Sequence, residues 1–419
     1  MTMRRDTRLA TLLAALAPVV AAAVMAAPAS AVTAPAQDPF YAPPGGFQKA
    51  SPGTILRSRQ VTMSGPQAAV YADAYQLLFR TTDATGQPTA AVTTVLTPSS
   101  PAGGTRVLAS YQTAYDSLTL NCAPSYTMQD GNGSDEEADI ASELEQGWDV
   151  NVPDYEGLQS EWAVGPMLGR ATLDSIRAAE HFAADGLTAG GKTEVALSGY
   201  SGGSEAATWA AALAPSYAPG LDLVGVAAGG NFPDFDYTTA QLDGSLWYGT
   251  EIGVMESFSR AYSDFDLTKL LNAAGQALAA SDGNDASGCS GSTLNEPYGN
   301  ASQYTNFPSS AALAADPLFK RVMARMSLRY ARYPKAPEYL YNAVTDELAF
   351  VEPVDALVQQ YCGAGVTVDY DRDPAGGEHV AAFERYWPAA LQYLANRFAG
   401  QDPPDNCFDY SGVPTPPGD

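Results

Sequence analysis

EVALSGYSGGSEAATWAAA, residues 194–212, is the stretch on which the reading of this chain turns. It opens with a short apolar run, Val195–Leu197. It passes through Gly199-Tyr200-Ser201-Gly202-Gly203 and continues as alanine-rich sequence, Ala206–Leu213, that reads as a helix stopped by Pro215. In a chain with 38 glycines the pattern G-x-S-x-G alone decides little. The flanks decide more. A serine at a sharp turn between strand and helix projects its hydroxyl above the sheet edge, and small residues two positions away let strand and helix approach. The N–H of Gly202, next in the chain, is the natural donor to a developing oxyanion.

A serine hydroxyl needs a base to become a nucleophile. The chain has two histidines, His181 and His379. In strand–turn–helix nucleophile folds the order is serine, acid, histidine. This excludes His181, which precedes the serine on an expected helix, and selects His379. The acid must follow a strand between Ser201 and His379. Asp346 stands directly after the strand-like EYLYNAV and fits best. Asp355 lies within the next helix; Asp371 and Asp373, after the last strand, are the alternatives. A second oxyanion donor is expected from the loop after Arg106–Tyr111, where Asp116 is the conspicuous residue.

Outward from this stretch, strand-like and helical segments alternate. Apolar runs at Ile55–Met63, Val70–Arg80, Ala90–Leu96, Arg106–Tyr111, Trp148–Val152, Val195–Leu197, Leu221–Ala228, Glu338–Val344 and Val366–Tyr370 predict strands. Helices are expected at Ser134–Gln146, capped by Ser134, and at Leu168–Ala184, Ala206–Leu213 and Val354–Tyr361. Another follows His379, broken or restarted at Pro388. The alternation implies an α/β fold: a mostly parallel central sheet flanked by helices, with the opening strands as an antiparallel edge. Residues 232–336 interrupt it with sequence rich in Asp, Ser, Asn, Tyr and Gly. They carry helical patches at Leu267–Ala280 and Phe319–Tyr330 and read as an inserted, mainly helical cap. The expected division is therefore 32–231 and 337–410 for the core, 232–336 for the cap, and a flexible tail at 411–419.

Arg4, Arg5 and Arg8, then a mainly alanine stretch and Ala29-Ser30-Ala31, read as a signal peptide over residues 1–31, which predicts secretion. Without it the chain carries 19 basic and 46 acidic residues. Such a surface repels nucleic acid and anionic membranes, so no nucleic-acid partner is expected. Cys122, Cys289, Cys362 and Cys407 form an even set, as in exported proteins with two disulfides. With no C-x-x-C and no histidine pair, neither a metal site nor a cofactor is expected.

DPFYAPP (38–44), PGTILRSR (52–59), YQTAYDS (111–117), NCAPSY (121–126), VPDYEG (152–157) and GYSGG (199–203) together resemble the secretory lipase family, the α/β-hydrolases that include yeast lipase A. The resemblance implies an α/β-hydrolase fold with a cap inserted after the strand that follows the elbow. It implies hydrolysis of carboxylic esters, acylglycerols or other lipid esters, by Ser201, Asp346 and His379, with Gly202 and Asp116 at the oxyanion hole. It also implies disulfides Cys122–Cys289 and Cys362–Cys407. Transient contact with a lipid interface would run through the cap. The cap's polar, acidic sequence departs from the family's apolar caps and favours an esterase or a lipase of shorter acyl chains. The residues leave open a serine peptidase or acyltransferase on the same fold, and a catalytically silent extracellular binding protein.

Overall fold

The computed structural model describes residues 32–134, 136–182, 186–187, 192–282, 297–374 and 377–407. Each of the nine expected apolar runs forms a strand, with ends shifted by a few residues. They are β1 (Ile55–Gln60), β2 (Tyr71–Thr82), β3 (Pro88–Pro98), β4 (Leu108–Gln112), β5 (Asp149–Pro153), β6 (Glu194–Tyr200), β7 (Asp222–Gly229), β8 (Glu338–Ala343) and β9 (Val368–Asp373). They make one sheet in the order β1-β2-β3-β5-β4-β6-β7-β8-β9. The first three strands run antiparallel, and β5 through β9 pair in parallel. Both faces of the parallel part are covered, which is why its strands are apolar throughout rather than alternating.

Side chains still alternate between faces. Val195 and Leu197 join a core with α3 (Gly165–Glu180) and α4 (Gly202–Tyr217). Ala196 faces the other way, toward Ile140 and Leu144 of α2 (Glu137–Glu145). A short α1 (Pro124–Asp130) precedes α2. Between β7 and β8 the chain leaves the sheet for seven helices among the described residues. These are α5 (Phe235–Gln241), α6 (Tyr248–Ala261), α7 (Leu267–Leu270), α8 (Ala273–Asp282), α9 (Ala301–Tyr304), α10 (Ser310–Ala314) and α11 (Pro317–Met326). Their apolar faces join the core of α3 and α4. The chain closes with α12 (Val351–Gly363) and α13 (His379–Phe398), the latter packed with α2 through Trp387.

Four local expectations are corrected. Helix α13 runs unbroken through Pro388. The proline faces solvent, so the carbonyl it leaves unbonded can reach water. Buried Tyr386, Trp387, Ala390 and Leu394 hold the opposite face on the sheet. That packing outweighs a proline cost of about 3 kcal/mol. Helix α4 likewise continues past Pro215 to Tyr217. Ser134 does not cap α2, which begins at Glu137 after Glu136; its hydroxyl lies 3.5 Å from the Glu136 carboxylate instead. The expected helix Leu267–Ala280 is two, because Leu271 forms a bridge with Thr305. Asn272 then restarts the helix by accepting from the Ala274 and Gly275 N–H groups at 2.9 and 3.1 Å.

Cys362 and Cys407 are bonded, with Cα atoms 5.6 Å apart, tying the end of α12 to the segment after α13. Cys122 is buried. Its expected partner Cys289, the signal peptide 1–31 and the tail 411–419 lie outside the described residues.

Candidate active site

Ser201 stands between β6 and α4 with φ 54° and ψ −126°, a backbone region that L-residues rarely occupy. Its N–H donates to the Gly229 carbonyl at 2.9 Å, which fixes the elbow to the end of β7. The neighbouring glycines are there for room. A Cβ on Gly199 would run into the Gly203 carbonyl, and one on Gly203 into the Gln112 carbonyl of β4. A Cβ on Gly202 would strike the Asp116 carboxylate.

His379 is the first residue of α13 and is buried. Its Nε2 lies 2.7 Å from Ser201 Oγ and its Nδ1 2.8 Å from Asp346 Oδ2. Beside a carboxylate Nδ1 carries the proton, which leaves Nε2 to accept from the serine hydroxyl. The second Asp346 oxygen accepts from the N–H groups of Leu348 and Ala349 at 3.0 and 2.7 Å. The turn after β8 thus aims the acid. The alternative acids are engaged elsewhere: Asp355 with Arg372 and Tyr370, Asp373 with Arg385, and Asp371 near the Tyr339 hydroxyl. His181 ends α3, with its Nδ1 2.6 Å from the Arg177 carbonyl.

Asp116 lies on the loop after β4 with φ 33°, its carboxyl over Gly202. Burial pushes it up to about 6, against the opposing pull of His379 and a hydrogen bond from Trp162. Its Oδ1 has no hydrogen-bond partner. The loop is fastened by residues the sequence reading did not single out. Glu136 accepts from the Ala114 N–H at 2.9 Å, and the Tyr155 hydroxyl donates to the Thr113 carbonyl at 2.6 Å. The Tyr115 hydroxyl accepts from the Glu156 N–H at 2.7 Å. Tyr115, Tyr155 and Glu156 fall inside YQTAYDS and VPDYEG, so the signal was present as motif; the contacts were not.

Ser201 and His379 open into a cavity of about 320 Å³. Trp162 and Phe383 help wall it, and the insertion adds Phe232, Phe235, Met255, Phe258, Phe319 and Met323. Met255–Phe258 and Phe319–Met323 follow helical spacing, so an apolar wall forms from sequence without long apolar runs.

Burial raises several carboxyls across the fold. Glu136 and Glu143 are pushed up to about 8, Asp139 and Asp154 to about 7, and Glu251 and Glu338 to about 8. In each the folded state binds its proton more tightly than the unfolded chain does. Stability from these groups is therefore full at or below the unfolded values near 4 and is lost as pH rises through about 8. The melting temperature is expected to fall by about 5 °C or more between pH 5 and pH 8.5. A flat or rising profile by calorimetry would contradict these protonation states.

The secretory lipase family profile matches residues 133–406. Lipase A of Arthroderma benhamiae is 34% identical over 392 residues, covering 87% of this chain and 80% of that protein. A probable inactive lipase of Mycobacterium tuberculosis is 34% identical over 395 residues, covering 88% of this chain and 83% of that protein. Among solved structures, Candida antarctica lipase A in its closed state superposes with a TM-score of 0.82 at 28% identity, covering 92% of this chain and 90% of that one. With this profile, these relatives and the α/β-hydrolase sheet that carries the elbow, the chain belongs to the secretory lipase family of ester hydrolases.

Proposed function

We propose that this chain is a secreted carboxylic ester hydrolase that cleaves lipid esters through an acyl-enzyme on Ser201. The observation that carries the reading is the unbroken relay Ser201 Oγ–His379 Nε2 and His379 Nδ1–Asp346, at 2.7 and 2.8 Å, opening into an apolar cavity. Ser201 Oγ attacks the acyl carbonyl as His379 takes its proton. The Gly202 N–H and the Asp116 loop hold the oxyanion. His379 then passes the proton to the departing alcohol. Water, deprotonated by the same imidazole, attacks the acyl-enzyme and releases the acid, regenerating Ser201. Asp346 keeps the imidazole in the required tautomer and balances its charge in each half.

The insertion α5–α11 serves as the cap, giving an acyl chain apolar walls. Secretion is consistent with the family and with the Cys362–Cys407 disulfide, which suits an oxidising compartment. One relative is named an inactive lipase. Activity is favoured here because all three groups are present and within hydrogen-bond reach. A nitrophenyl ester should be hydrolysed with a kcat/KM at least about 100-fold above that of a peptide anilide. Comparable rates would point to a peptidase, and turnover of neither to a silent binding protein.

A further inference from the structure

His379 is held by its backbone as well as by its ring. Its N–H donates to Glu347 Oε2 at 3.0 Å, and its carbonyl accepts from the Tyr200 hydroxyl at 2.5 Å. Glu347 follows Asp346 in the chain, and Tyr200 precedes Ser201. The peptide carrying the base is therefore tied to the two segments that carry the acid and the nucleophile. Glu347 also meets an unpaired end of α13. Residue Glu378 at the helix N-cap makes no side-chain cap bond, and Glu347 supplies a carboxylate to the helix start, where the N–H groups and the dipole favour negative charge.

The other Glu347 oxygen looks outward. Oε1 accepts from the indole Nε1 of Trp247 at 3.0 Å. Trp247 belongs to the insertion, immediately before α6, and its ring stands edge-on to the His379 ring, with centroids 6.0 Å apart. One carboxylate thus takes one donor from the base and one from the insertion above it.

We propose that Glu347 is a positioning residue that couples the insertion to the base: the Trp247–Glu347 bond forms when the insertion sits over the site and fixes the carboxylate that holds His379. Seating of the insertion and alignment of the imidazole become one event. The inference rests on the Ser201–His379 reading above. Glu347 touches no reacting atom, so its effect falls on kcat, through the frequency of a productive imidazole, and not on substrate binding.

The test uses the full chain and a soluble short-chain nitrophenyl ester, with Glu347→Gln, Trp247→Phe, the double variant and Ser201→Ala. Glu347→Gln keeps one acceptor for the His379 N–H but turns an amide NH2 toward the Trp247 donor; kcat should fall about 10-fold with KM within about twofold. Trp247→Phe keeps a ring beside His379 and removes only the donor; kcat should fall about threefold. In the double variant the Phe should cost nothing further, or restore part of the loss, because no donor then faces the amide. The proposal is overturned if Glu347→Gln leaves kcat within about twofold of the parent, or if Trp247→Phe lowers kcat by the same factor in both backgrounds. Should circular dichroism show Glu347→Gln unfolded, Trp247→Phe alone decides: an unchanged kcat overturns the coupling, and a threefold loss at constant KM supports it. Turnover surviving in Ser201→Ala would sink the underlying nucleophile assignment instead, so the two failures are distinguishable.

Discussion

His379→Ala is expected to lower kcat for a soluble ester by about 10⁴-fold or more, while His181→Ala stays within about twofold of the parent. The asymmetry follows from position. Of the two histidines, His379 is the one that reaches the Ser201 hydroxyl, and its ring is already oriented by Asp346. In the proposed mechanism, removing the imidazole leaves the hydroxyl without an acceptor for its proton in the first half-reaction and the alcohol without a donor for its departure. The neighbouring carboxyls do not substitute. Asp116 lies over Gly202, and Asp346 is bonded to the imidazole rather than to the serine hydroxyl. His181 sits at the far end of α3 and bonds its own helix's carbonyl. Both variants should keep the parent's far-ultraviolet circular dichroism, since His379 borders the existing cavity and His181 is exposed. Equal losses in two folded variants would remove His379 from the role of base.

Gly202→Ala and Gly203→Ala are neighbours whose effects should differ in kind. At Gly202 the added methyl meets the Asp116 carboxylate, a side chain on a loop. Helix α4 accepts alanine at this position without backbone strain, so the fold should survive. The loop bearing Asp116, fastened by Glu136 and Tyr155, is then displaced from the oxyanion position proposed for it. A loss of about 10²-fold or more in kcat is expected, with KM little changed, as when one oxyanion donor is removed. At Gly203 the methyl meets the backbone carbonyl of Gln112 in β4, which cannot yield without shifting the sheet. That variant should lose about 3 kcal/mol or more of stability, or fail to accumulate as soluble protein. Stability by denaturant titration and kinetics on the same samples separate the two. A Gly202→Ala variant with parental kcat would show that Asp116 stands outside the chemistry.

The elbow was legible because its requirements are local: an apolar run, small residues around a serine, and helix-forming sequence at once. His379 was legible for a different reason, the scarcity of histidine, and Asp346 through chain order after a strand. What escaped was tertiary. Nothing within α13 announces that Pro388 faces solvent while Tyr386 and Trp387 are buried, so a rule about prolines in helix interiors gave the wrong break. Leu271 lies in a helix-forming run, yet it pairs with Thr305, 34 residues away. The insertion's part of the apolar cavity wall comes mainly from side chains spaced along α5, α6 and α11, so residues 232–336 carry it without a continuous apolar run. Glu136, Tyr155 and Glu347 act through partners distant in sequence or on other elements, and residue type alone gave no reason to choose them over other acids and tyrosines.

Every step proposed for this site requires Ser201 to be the nucleophile. The most direct measurement treats the native protein with a fluorophosphonate, follows loss of ester turnover, and maps the modified peptide by mass spectrometry. One phosphonyl group per chain is expected, on the peptide containing Ser201, gained in step with the loss of activity and absent from Ser201→Ala. An active protein that loses turnover with the label on another residue, or that keeps full turnover with Ser201 modified, would contradict it.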